Sequence, residues 1–172
     1  VPEDRRKQGL VMDATVSSNI TDAIRDTLTK LGLITVAAEN RAAQVWASRL
    51  EVKTASLDAI ASTLSGGNQQ KVVLGKWLAT APKLLIIDEP TRGIDVGTKS
   101  EVHRMMSDLA GRGLAILMIS SELPEVLGMA DRVLVMREGR LTATIPRAEA
   151  TPESVMLAAT QSPEAESLKE GA

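Results

Sequence analysis

Apolar residues follow two different rhythms along this chain. From residue 19 to about 80 the spacing is helical. Ile24, Leu28 and Leu31 recur at i, i+4 and i+7, with Asn19 placed to cap that helix and Gly32 to end it. An alanine-rich stretch over 37–50 predicts a second helix, with Trp46 and Leu50 four apart. A looser segment, 53–63, leads to Leu64-Ser65-Gly66-Gly67-Asn68-Gln69-Gln70-Lys71. A third helix follows, with Val73, Trp77 and Leu78 as its buried stripe, and Pro82 closes the region. From residue 83 the rhythm changes. Leu84-Leu85-Ile86-Ile87 is a continuous apolar run and predicts a strand covered on both faces. A helix over 98–110 comes next, with Val102, Met106 and Leu109 inward. Then come a strand over 115–119, a short helix over 123–129 and a strand over 132–137. Glu138-Gly139 turns the chain into a strand over 141–145, and Thr151-Pro152-Glu153 opens a last helix. The alternation of strands and helices predicts an α/β fold with a parallel sheet and crossover helices. Residues 161–172 have the composition of a frayed, disordered tail.

Composition narrows the possibilities. With 172 residues, 44% of them hydrophobic and 24% charged, the chain is long enough for one globular domain with a real core. The net charge of −2 comes from interspersed signs, so no broad basic surface is expected and nucleic acid is not a predicted partner. Absence of cysteine excludes disulfides and thiolate metal sites. The longest apolar runs are too short for a membrane-spanning helix. Trp46 and Trp77 are the only aromatic residues, so the core is expected from Leu, Ile, Val, Met and Ala, without a platform for stacking bases. The chain opens on Val1 with no clear element, which suggests a piece of a longer polypeptide.

Two short motifs carry candidate chemistry. Ser65-Gly66-Gly67 stands directly before a helix. The first N–H groups of a helix lack internal partners, and the macrodipole adds about half a positive charge there. Glycines let a large anion approach, and a serine hydroxyl adds a donor. Taken alone, Ser65 reads first as a plain helix cap. The second motif is Asp88-Glu89-Pro90-Thr91, at the C-terminal end of an apolar strand, the edge where open parallel sheets bind ligands. Asp88 suits Mg²⁺ held through water, and Glu89 suits an attacking water. Taken alone, the pair is equally a solvated acidic turn. Arg5-Arg6-Lys7 reads as a solvated charge cluster and His103 as a surface residue.

In this order the motifs resemble the nucleotide-binding domain of ABC transporters. More narrowly, they resemble the second ATP-binding half of bacterial monosaccharide importers of the ribose, xylose and galactose type. Pro2-Glu3-Asp4-Arg5, residues 64–71, Asp88 to Gly97 and Ser120-Ser121-Glu122-Leu123-Pro124-Glu125 carry the likeness. It implies an α/β, P-loop NTPase fold of the ABC type, incomplete because the phosphate-loop strand is missing, with a helical subdomain. The implied divisions are a core remnant at 1–18, a helical subdomain at 19–80, half of a parallel-sheet core at 81–160 and the tail.

The resemblance also implies roles. Ser65, Gly66 and Gly67 would act in trans, on the γ-phosphate of ATP held by a partner half, with Asn68 and Gln69 supporting the loop. Asp88 would hold Mg²⁺ through water, Glu89 would be the catalytic carboxylate, and Asp95 would cross the dimer interface. Three departures stand out. The motif G-x-x-x-x-G-K-[ST] is absent, since the only Gly-Lys pair is Gly75-Lys76, and the loop is expected upstream of Val1. Glu3, a possible metal contact, stands where a glutamine is usual. Ser121 stands where the γ-phosphate is usually met by a histidine. The implied cofactors are ATP and Mg²⁺. Implied partners are an N-terminal ATPase half or second ATPase subunit, permease subunits and, indirectly, a periplasmic sugar-binding protein, at the cytoplasmic face of a bacterial membrane. Without its phosphate loop the chain alone is expected to be inactive. The alternatives are a nucleoside-type importer ATPase or a truncated, non-catalytic interaction module.

Overall fold

Asn19, expected to cap a helix, is buried inside one. The computed structural model describes residues 1–29 and 32–160; Leu31 and the expected tail from 161 lie outside the described residues. Helix α1 (Val16–Thr21) is capped by Thr15, whose hydroxyl accepts from Ser18 N. Its line continues through a 3-10 turn, Asp22–Ile24, into α2 (Arg25–Leu28). Both Thr15 and Asn19 are good capping residues, and burial separates them. The Asn19 side chain is 1% exposed. It donates to Val11 O and Thr15 O at 2.9 Å each and accepts from Val11 N at 2.8 Å. A buried amide needs such partners, and here the preceding loop supplies them.

By internal packing the chain divides into two compact units, Val1–Ile119 and the part from Ser120 on. In the first, α1, α3 (Val36–Arg49) and α4 (Gly66–Leu78) pack on one another. Leu10, Val16, Ile20, Ala43, Ala47, Val72 and Val73 form the core between them. Helix α4 is central and is buried over most of its circumference, including Lys71 and Gln69. Its interior is wider than the expected stripe. Val72, Val73, Leu74 and Leu78 face inward, while Trp77 lies outside, 37% exposed. An element touching neighbours on several sides needs more apolar surface than one stripe provides.

Strands β1 (Leu84–Asp88) and β2 (Ala115–Ile119) pair in parallel, Leu84 opposite Ala115 through Asp88 opposite Ile119. Helix α5 (Val96–Gly111) is the crossover between them, with Val102 and Met106 buried. The expected double-sided covering of β1 does not occur. Leu85 and Ile87 are buried, but Leu84 and Ile86 are about half exposed, as are Leu117 and Ile119 in part. The register sets Ile86 beside Leu117, so one apolar face of this sheet is open.

The second unit holds α6 (Leu123–Met129) and an antiparallel hairpin, β3 (Arg132–Arg137) with β4 (Arg140–Pro146). The parallel expectation therefore applies to β1 and β2 only. Glu138 and Gly139 both take positive φ, as a two-residue hairpin turn requires. Helix α7 (Pro152–Thr160) packs on β3, joining Val155 to Val133 and Val135. Among the described residues no helix is long and apolar enough to cross a membrane.

Asn19→Ala should cost about 1–3 kcal/mol, through the loop groups left without partners, and urea denaturation measures it. The open sheet face should make the isolated chain associate as concentration rises, and Ile86→Thr with Leu117→Thr should reduce that in sedimentation velocity.

Candidate functional site

The corner before α4 is built around one hydroxyl. Ser65 is extended and caps α4. Its Oγ accepts from Asn68 Nδ2 at 3.0 Å and, more weakly, from Asn68 N at 3.5 Å. A hydroxyl whose lone pairs receive N–H groups keeps its own proton for another acceptor. Asn68 is in turn fixed by accepting from Lys53 N at 2.8 Å. Gln69 is fully buried. Its Nε2 donates to Leu64 O at 3.1 Å and its Oε1 accepts from Arg6 Nε at 3.4 Å. These bonds hold the backbone that leads into the corner.

The two glycines have different neighbours. A Cβ on Gly66 would lie 2.8 Å from Arg5 Nη2, the end of a flexible side chain. A Cβ on Gly67 would lie 2.2 Å from Thr98 Cγ2, on the first turn of α5. Gly67 is buried, and the space its missing Cβ leaves is taken by Thr98 of α5. Ser65 is exposed and Gly66 partly so, with the Arg5 guanidinium beside it.

The acidic strand end lies in the same unit. Asp88 closes β1, half-buried, and its N–H donates to Val1 O at 3.0 Å. Glu89 follows with φ at 47° and donates its N–H to Ile119 O at 2.8 Å. A non-glycine in the left-handed region costs roughly 1–2 kcal/mol and breaks the strand's alternation at this residue. Pro90 and Thr91 are buried beneath the turn, and Gly93 turns it with φ at 66°. Asp95 caps α5: its carboxylate accepts from Thr98 N at 3.0 Å and from Thr98 Oγ1 at 2.7 Å. The Thr98 hydroxyl, followed by the Thr98 amide, holds the Asp95 carboxyl below the usual range. Thr98 thus touches both motifs, Gly67 on one side and Asp95 on the other.

Of the basic run near the start, Arg6 and Lys7 are exposed, as a solvated cluster would be, while Arg5 is partly buried. Arg5 Nη1 donates to Arg92 O at 2.9 Å and Nη2 to Gly93 O at 3.3 Å. Lys7 makes a loose surface pair with Asp4. Glu3 is ion-paired with Arg92, so its carboxylate is engaged by a cation of the chain itself. Among the described residues no group of three or more acidic or histidine side chains is arranged around a common point. A cation at Asp88 would thus complete its shell with water and ligand oxygens, which magnesium tolerates well. In the second unit Ser121 is exposed, just before α6. Its neighbour Ser120 donates to the buried Glu125 carboxylate at 2.5 Å and accepts from Glu122 N at 3.0 Å. His103 is half-buried on α5.

Three residues that position this site have no signal in local patterning. Arg5 lies 87 and 88 residues from its two acceptors. Lys71, 5% exposed, meets Glu101 at 2.8 Å and Glu51 O at 3.2 Å. Thr98 is an ordinary residue of a helix start.

Residues 2–92 match the family model described as ABC transporter. The chain is 64% identical to the ribose import ATP-binding protein RbsA 2 of Streptomyces avermitilis, over 93% of this chain and 32% of that protein. It is 57% identical to ribose import ATP-binding protein RbsA of Rhodococcus jostii, over 94% of this chain and 32% of that protein. The chain spans about a third of the length of these relatives. Among solved structures, it is similar to the ATP-binding cassette MJ0796 in a dimeric post-hydrolysis state bound to ADP and Pi. That likeness has TM-score 0.66 at 18% identity, over 80% of this chain and 59% of that one. A further dimeric structure of MJ0796, a bacterial ABC transporter cassette, gives TM-score 0.65 with the same coverage.

Gly67→Ala should lower stability by about 1–3 kcal/mol through overpacking against Thr98. Thr98→Ser, which removes the nearest methyl, should recover part of that loss in thermal denaturation.

Proposed function

The chain belongs to the ABC transporter family, and from that premise we propose that it forms part of the ATPase of a bacterial sugar importer. In this reading the chain serves chiefly to complete an ATP site whose nucleotide is held by a partner half. The observation that carries it is the Ser65 hydroxyl. Asn68 occupies its lone pairs from behind, leaving its proton to donate forward at the positive end of α4. A γ-phosphate oxygen is the acceptor this donor suits. The backbone N–H groups of Gly66 and Gly67 would add to it at the helix start, and Asn68 and Gln69 keep the corner in place.

Bound ATP supplies the phosphoanhydride to be cleaved, and Mg²⁺ neutralises its charge. Asp88 would hold that cation through water, and Glu89, held in its strained backbone, would orient an attacking water. Glu3 would first have to leave Arg92 to reach a metal, and Ser121 cannot offer the cationic donor that a histidine provides. Both departures weaken hydrolysis in this half's own site and leave contribution in trans as its main task. Asp95, the cap of α5, would present the 91–95 turn to the partner.

The proposed partners are a second ATPase half or subunit and the permease, with a periplasmic sugar receptor acting through it, at the cytoplasmic face of the membrane. Similarity to ribose import proteins favours a monosaccharide over a nucleoside as cargo. It also favours a working ATPase portion over a non-catalytic interaction module.

In the assembled importer, Ser65→Arg should abolish ATP hydrolysis by filling the mouth of the corner. Loss of one preorganised donor to a developing charge already costs about 10²–10³-fold. Glu89→Gln should leave most of the rate. Steady-state phosphate release measures both, and equal losses would overturn the asymmetry.

A further inference from the structure

We propose that Arg5 is a positioning residue that fastens the serine–glycine corner to the acidic turn, so that the two move as one body. This rests on the function proposed above, in which both segments serve a nucleotide.

The guanidinium spans two successive carbonyls, Arg92 O at 2.9 Å and Gly93 O at 3.3 Å. Gly93, with φ at 66°, makes the sharp turn on which both acceptors sit. The same Nη2 stands 2.8 Å from where a Gly66 Cβ would be, so the corner's missing side chain is the space the guanidinium uses. The adjacent Arg6 reaches Gln69 Oε1 at 3.4 Å, inside the corner's own support. One short π-helical turn, Arg5–Gly9, capped by the Asp4 carboxylate, therefore sends one arginine to each segment. The arrangement carries a cost that points the same way. Arg5 Nε is buried without a hydrogen-bond partner. Leaving a buried donor unmet is unfavourable, so the side chain is oriented for its Nη contacts at the expense of Nε. Lysine could not substitute, because a single ammonium does not present two donors in a fixed fork.

The test uses the assembled importer containing this chain, with Arg5→Lys, Arg5→Ala, Gly66→Ala and the double variant Arg5→Ala/Gly66→Ala. Amide hydrogen exchange over 65–69 and 92–97 should accelerate together in Arg5→Lys by about tenfold, the size of one lost charge-assisted bond. Helix α3, remote from the contact, should keep its protection and serves as the folding control. The kcat for ATP should fall several-fold with KM nearly unchanged. In hydrogen exchange, Gly66→Ala should reproduce the loosening alone and add nothing on top of Arg5→Ala, since its methyl acts by displacing the guanidinium. Wild-type exchange in Arg5→Lys, loosening of only one segment, or full additivity of Gly66→Ala and Arg5→Ala would each overturn the proposal. Coupled loosening in an assembly whose wild type does not turn over ATP would support the clamp and refute the functional reading instead.

Discussion

Helices α4 and α5 meet closely at Gly67, and the site depends on it. A side chain there would collide with Thr98, so α4 and α5 can start side by side only because one residue has no Cβ. Thr98 is simultaneously the donor that Asp95 uses to cap α5. One contact therefore sets the distance between the corner at Ser65 and the turn that ends at Asp95. Core packing transmits such constraints because protein interiors are nearly incompressible.

Charges reinforce the same junction. Lys71 is almost fully buried on α4 and is paired with Glu101 on α5, with Glu51 O as a second acceptor. A buried ammonium without those partners would be strongly destabilising. The nearby Lys71, its bond to Glu101 first among the causes, holds the Glu101 carboxyl below the usual range. Lys76 meets Asp22 at 2.7 Å on the other side of α4 and ties that helix to the turn after α1. Helix α4 is thus braced by apolar contact with α1 and α3 and by ion pairs at two positions along its length. Bracing of this kind suits the proposed role of its first turn in presenting a donor, since a site loses much of its value when displaced by an ångström.

Much of the element order was legible in the hydrophobic rhythm. The alanine-rich run became α3, and the apolar run at Leu84 became β1. Gly139 marked the hairpin turn and Pro152 the start of α7, whereas Gly32 did not mark the end of α2, which stops at Leu28. Misreadings fell where burial chose between equivalent residues. Thr15 and Asn19 are both capping types, and the loop at 11–15 decided which was buried. Helical spacing put Trp77 in the buried stripe with Val73 and Leu78, but the inward arc of α4 is filled by Val72, Val73 and Leu74. A continuous apolar run says that a strand can be covered twice, not that two layers are present, and Leu84 and Ile86 show the difference.

The chemistry divides along the same line. The placement of motifs contiguous in the chain, the corner at Ser65 before a helix and the carboxylates at Asp88 and Glu89 at a strand end, could be read from residue type and spacing, because helix starts and strand ends impose local rules. That Gly67 is bare for Thr98, that Glu3 is taken by Arg92, and that Arg5 joins the corner to the turn could not. Each involves partners dozens of residues apart, whose meeting is set by how helices and strands pack, and packing leaves no period in the order of amino acids.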